Sequence, residues 1–141
     1  MKQNSKLSLA LHAMGHMAVA PDMPMTSDQI AHHNQTNPVV VRRVLGMLRK
    51  AGLMTSEKGH AGGWRLAKPA TDISIADIYV AIGERFLAPP PSGPDTPPQC
   101  AIRIALSDTV DTALAAAEAV LIKKLSVKSV ADLANALKPS E

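Results

Sequence analysis

Aromatic side chains are nearly missing: one Trp, one Tyr and one Phe amount to 2% of 141 residues. Since the chain is 46% hydrophobic, its core has to be built from Leu, Ile, Val, Met and Ala, which suits packed helices better than a β-sandwich. Cysteine is reduced to Cys100 alone, which excludes an internal disulfide and fits a reducing, cytoplasmic setting. Long apolar runs are missing too: nothing approaches the ~18 residues of a membrane span, so no membrane partner is expected. The opening "MKQNSKLSLALHAMGHMAVA" has two histidines and no cleavage signature, and it reads as a helix of the mature protein rather than a signal peptide. The chain also lacks a nucleophile with a base and an orienting acid, paired carboxylates in a helix frame, and a nucleotide-binding fingerprint. These gaps argue against an enzyme.

Acidic residues are scarce in one half. Residues 1–68 hold nine Lys/Arg against three Asp/Glu, whereas residues 69–141 hold six against nine. Between Arg42 and Lys68, the cations Arg42, Arg43, Arg49, Lys50, Lys58, Arg65 and Lys68 face only Glu57. A basic half beside a mildly acidic one suits one end to a polyanion.

What is present is mostly helical in spacing. Leu7, Leu11, Met14 and Ala18 predict a first helix over 5–19. "APDMPM" breaks it. "TSDQ" at 26–29 is a capping box that opens a second helix, about 27–34, with Ile30 and Ala31 inward. Asn37 then caps a third helix with Pro38 in its first turn, where the missing amide costs nothing. That helix carries Val41, Val44, Leu45 and Leu48 on one face and ends at Gly52. "LMTS" at 53–56 and "GWRLA" at 63–67 read as two strands around the turn "EKGHAG", with Trp64 packing the base of the hairpin onto the core.

Ser74 caps a fourth helix carrying Ile75, Ile78 and Ile82. Residues 88–98, "APPPSGPDTPP", hold six of the eleven prolines and must be loop. Val110, Leu114, Ala117, Leu121 and Leu125 mark a long helix over about 103–125, and Ser129 with Asp132 begins a last one with Val130, Leu133 and Leu137. The expected organisation is a DNA-binding unit at 1–87, a Pro-rich loop with the single Cys at 88–102, and a dimerisation helix with a C-terminal helix at 103–141.

Helix, helix, turn, helix and hairpin is the order of a mainly α winged helix-turn-helix. The third helix leaves Asn37, Val39, Val40, Arg42 and Arg43 near its surface. Valines beside arginines suit thymine methyls beside guanine edges or phosphates, so the expected partner is double-stranded DNA. The hairpin adds Lys58, His60, Gly62, Gly63 and Arg65 as a thin cationic tip, and Thr26 and Ser27 at the start of the second helix join the set. A winged-helix module that binds a protein instead of an operator is the competing reading.

Residues 25–82, above all "LRKAGLMTSEKGHAGGWRLAKP" and "ISIADIYVAI", resemble the Rrf2 family of bacterial transcription regulators, and the resemblance extends over roughly 5–137. It implies a homodimeric regulator, a repressor, on a pseudo-palindromic operator, with the long C-terminal helix as the dimerisation element. By the same resemblance Asn37, Val39, Val40, Arg42 and Arg43 read or position on DNA, and Gly62, Gly63 and Arg65 belong to the wing.

Cluster-binding members of that family place three cysteines before the dimerisation helix. Here that loop offers only Cys100, and all five histidines lie at or before residue 60. No iron–sulfur cluster, other cofactor or metal is therefore expected; a cluster would need ligands beyond Cys100, with His12 in a suitable region. Cys100 reads either as a small buried apolar residue or as a redox-responsive thiol near a helix start, with Arg103 close by. His12 and His16 read as a half-buried pair, His32 and His33 as a rim of the DNA-facing surface, and Met14, Met17, Met47 and Met54 as core.

Overall fold

The computed structural model describes residues 5–58, 63–86 and 101–137. These form α1 (Lys6–Val19), α2 (Ser27–His33), α3 (Pro38–Lys50), β1 (Met54–Glu57), β2 (Gly63–Leu66), α4 (Ile75–Ile82), α5 (Ala101–Leu125) and α6 (Val130–Ala136). The winged helix-turn-helix order expected from the sequence is the one observed. The Pro-rich stretch, including Cys100, and the unit boundary expected at 87/88 lie outside the described residues.

Local signals place the helix starts. The Ser5 hydroxyl caps α1 by accepting from the Ser8 amide. Thr26 with Gln29, Ser74 with Asp77 and Ser129 with Asp132 close reciprocal capping boxes at the starts of α2, α4 and α6. Asn37 caps α3 and Pro38 fills its first position. Gly52, just past the end of α3, takes φ +77, the left-handed conformation glycine enters without a Cβ clash.

The apolar stripe of α3 is the centre of the body. Val41, Val44, Leu45 and Leu48 are all fully buried, together with Met14, Ile30, Met54, Ile73, Ile78 and Val130. Each such side chain contributes roughly 1.5–3 kcal/mol. Helix α1 touches α3, α4, β2 and α6, and it is buried more widely than its predicted stripe: Leu9, Ala10, Ala13 and Met17 are inside, whereas Leu11 and Ala18 are only half-buried. The segment after α5 returns to this body, because the Ile75 amide donates to the Lys128 carbonyl and the Val130 amide to the Ile73 carbonyl, at 2.9 and 2.8 Å.

Strands β1 and β2 pair antiparallel, with Thr55 opposite Arg65 and Ser56 opposite Trp64. Met25 adds a third, one-residue rung: its amide donates to the Trp64 carbonyl and its carbonyl accepts from the Trp64 amide. Gly63 makes that approach possible. Its φ is +152, and a Cβ there would stand 2.8 Å from the Met25 carbonyl oxygen.

Candidate nucleic-acid interface

The interface is built on α2, its turn and α3. Asn34 sends its side-chain amide to the Ile30 carbonyl at 2.9 Å, and Gln35 takes a left-handed φ of 53, so the chain reverses tightly into α3. The Thr26 hydroxyl accepts the Gln29 amide at 3.1 Å, which leaves its own proton for an acceptor such as a phosphate oxygen. The Asn37 carboxamide oxygen likewise accepts the Val40 amide at 3.0 Å, leaving the NH₂ as its outward donor.

Along α3, residues three and four apart share a face. Val39 is 60% exposed; Arg42 and Arg43 are exposed, and Gly46 continues the same face with nothing within 4 Å of where a Cβ would be. This strip of one apolar group, two guanidiniums and a clear backbone is shaped for a groove rather than for a core. Val40 departs from expectation: it is half-buried and packs against the core, because its position on the helix borders the buried stripe.

Arg49, on the far end of α3, is committed internally. Its guanidinium donates to the Ser56 hydroxyl at 2.9 Å and lies 5.8 Å from the Trp64 ring centroid. Trp64 is 8% exposed, as expected for the base of the wing. Its indole N–H donates to the Ser27 hydroxyl at 3.0 Å, so Ser27 is a strut between α2 and the wing.

Gly63 and Arg65 both lie in the wing strand β2 and both make contacts within the fold. Arg65 is half-buried and turned back onto the segment after α1, donating to the Asp22 carbonyl at 3.1 Å. Gly63 opens β2 opposite Glu57, the pair next to the turn, and lies against Met25, where its bare Cα serves the fold's own backbone. Lys58 is exposed at the end of β1. His60 and Gly62 lie outside the described residues.

The histidines form a group the sequence reading kept apart. The His16 ring stacks on His33 with centroids 5.3 Å apart and an interplanar angle of 22°, and His32 meets His33 edge-on at 6.4 Å. Burial, then the neighbouring His33 and His12, push the His16 pKa below its ordinary value. Among the described residues no group of three or more His, Cys, Asp or Glu is placed to hold a metal ion.

Helix α5 presents a different surface. Ile102, Ile104, Leu106, Val110 and Val120 are exposed, while Leu114, Leu121 and Leu125 are half-buried. Among its described side chains the one deeply buried is Glu118, which accepts bonds from the Arg85 guanidinium and from the Tyr79 hydroxyl. The Arg85 partner holds the Glu118 carboxyl below its ordinary pKa. The Phe86 amide in turn donates to the Tyr79 hydroxyl at 3.1 Å, so α4, the chain beyond it and α5 are tied at one point. No described helix is long and apolar enough to cross a membrane.

Known proteins share both the sequence and this geometry. The Rrf2 family model, described as iron-dependent transcriptional regulators, matches residues 3–136. YwnA of Bacillus subtilis (strain 168), provisionally named as an HTH-type transcriptional regulator, is 34% identical over 137 residues, which are 95% of this chain and 98% of YwnA. An oxidized form of CymR from Staphylococcus aureus superposes with a TM-score of 0.64 at 25% identity, covering 99% of this chain and all of that one. CymR of B. subtilis, the global cysteine regulator, shares the fold with a TM-score of 0.67 at 23% identity, over 98% of this chain and 99% of its own.

Proposed function

We infer that this chain, which belongs to the Rrf2 family of transcriptional regulators, reads operator DNA as a cytoplasmic homodimer and represses. The observation that carries the reading is the outward strip Val39, Arg42, Arg43 and Gly46 on α3, fixed by the caps at Thr26 and Asn37. In the major groove, Val39 meets a thymine methyl and Arg42 or Arg43 a guanine edge, with the Thr26 hydroxyl and Asn37 NH₂ on phosphates. Lys58, with His60 and Gly62 beyond it, brings the wing to the adjoining backbone. Arg65 and Ser27 hold the wing and α2 in place instead of touching DNA.

The exposed apolar side chains of α5 support a homodimer through that helix. Two copies of α3 would then meet two half-sites about one helical turn, ~34 Å, apart. A resident iron–sulfur cluster does not fit the donor set: the chain has one cysteine, and thiolate-held clusters use four ligands. We assign Cys100 instead as a candidate redox thiol. Two Cys100 thiols, one from each subunit, would join as a disulfide while hydrogen peroxide is reduced to two waters. Cys100→Ser should abolish any peroxide effect on DNA binding.

The test is fluorescence anisotropy of the reduced protein with the duplex upstream of its own reading frame, at about 150 mM salt, against a scrambled competitor. Binding should survive the competitor. Binding that any duplex displaces, and that barely weakens with salt, would point to the protein-interaction module.

A further inference from the structure

Between α1 and α6 lies a cavity of about 260 Å³ lined by Leu11, His12, Gly15, His16, Leu133 and Leu137. It is close to the small end of the ~300–1,000 Å³ range of ligand sites and has room for one ring or a short branched chain. Its wall is apolar except for two imidazoles four residues apart on one helix. Gly15 keeps the floor open, since a Cβ there would already reach Leu133 at 3.6 Å. His12 has its Nδ1 3.5 Å from the Ser8 hydroxyl, which leaves Nε2 as the nitrogen for a ligand.

We propose that this cavity is an effector site for a small organic monocarboxylate, with His12 and His16 on the carboxylate and Leu11, Leu133 and Leu137 around the apolar body. An apolar pocket with a pair of imidazoles matches that class by charge: the carboxylate supplies the counter-charge that a protonated imidazole lacks there. The charges that act on His16 without a ligand come from His33 and His12, both of which oppose its protonation, and α6 meets it with the uncharged Leu133 and Leu137. Binding an anion reverses that balance and draws a proton onto His16.

The consequence reaches the DNA-binding surface through a ring stack. His16 stacks on His33, the last residue of α2. Pairing with the carboxylate draws the His16 ring towards the cavity and away from its 5.3 Å stack on His33, which loosens α2 on α1. A bound monocarboxylate therefore lowers DNA affinity. The effector role rests on the regulator reading; the binding itself does not.

Benzoate is the probe. Histidine ring resonances of the full-length protein are followed by NMR during a titration to ~10 mM. His12 and His16 should move saturably while His32 stays still, and the His16 pKa should rise. Benzamide, which has the ring without the charge, should bind at least ~10-fold more weakly, the loss of one charged hydrogen bond. Leu133→Trp, which fills the cavity, and His16→Asn, which keeps a polar side chain of modest size, should each cost a similar factor. Unmoved His12 and His16, or benzoate affinity in both variants equal to that of the wild type, would overturn the site. Benzoate that binds but leaves the affinity for the upstream duplex unchanged would overturn the effector role. A duplex that fails to bind even without benzoate is instead a failure of the regulator reading, and the NMR titration does not depend on it.

Discussion

In α3, Val41, Val44, Leu45 and Leu48 have no exposed surface, whereas in α5 Ile102, Ile104, Leu106, Val110 and Val120 are 44% to 81% exposed. Both helices are rich in branched aliphatics, so composition does not separate them. The arrangement does: the apolar residues of α3 return every three or four positions, and α1, α2 and α4 cover that stripe. Those of α5 lie around its whole circumference, and the chain covers only the part near Leu114, Glu118, Leu121 and Leu125. A helix of 25 residues is ~38 Å long, longer than this small body can pack against. The apolar side of α3 is satisfied within one chain; that of α5 asks for a second chain, and the proposed homodimer supplies it.

The comparison breaks first at its buried side. Leu45→Ala removes fully buried contacts and should cost ~2–5 kcal/mol of stability, a large part of a typical ~5–15 kcal/mol total. Chemical denaturation would show it. A cost within ~0.5 kcal/mol, typical of surface sites, would mean that the stripe is not the core.

On the exposed side, Ile104→Glu with Leu106→Glu should leave the helical signal of the body intact and weaken dimerisation by ~2 kcal/mol or more, at least ~30-fold. Analytical ultracentrifugation reads this directly. An unchanged dimer would move the subunit contact away from α5.

Two arginines sharpen the contrast on the DNA side. Arg42→Ala should reduce discrimination between operator and scrambled DNA by ~1–3 kcal/mol per lost base contact, with the melting temperature unchanged. Arg65→Ala should lower the melting temperature through its lost bond to the Asp22 carbonyl, worth ~1 kcal/mol, and should keep the discrimination ratio. The opposite pattern would put Arg65 on the DNA and Arg42 in the scaffold.

These residues also mark how far the sequence could be read. The caps at Thr26, Asn37, Ser74 and Ser129, the α3 stripe and the hairpin were all legible, because each depends on residues a few positions apart. Val40 was not, because a stripe about 100° wide leaves its border residues undecided until neighbours are placed. The inward contacts of Arg65 and Gly63 were not legible either, because the cluster of glycine and arginine signals only a thin cationic hairpin. Their contacts are with Asp22 and Met25, which belong to the segment between α1 and α2. The Trp64 bond to Ser27 and the His16–His33 stack are likewise products of tertiary packing. A buried indole N–H announces that it needs an acceptor, but the sequence does not say which of many hydroxyls will be near.

The smallest effect expected is on pH, and it tests the His16–His33 stack between α1 and the end of α2. In the unfolded chain His16 takes a proton near its ordinary pKa of 6.5; in the folded chain burial and His33 hold it lower. Between those two values the unfolded state binds more protons, so stability must fall as pH drops from about 6.5 towards the lowered native value, and it levels off below both. Above that window the contribution is fully present. His33→Asn removes one of the repelling rings, so it should raise the native pKa of His16 and flatten the decline, while His32→Asn, on the neighbouring exposed ring, should leave it as it is. Thermal melts from pH 8 to pH 5.5 on the three proteins, paired with the His16 ring signal in NMR, decide the matter. If His33→Asn melts in parallel with the wild type and its His16 titrates unchanged, the stack does not couple the two helices, and protonating His16 has no route to α2.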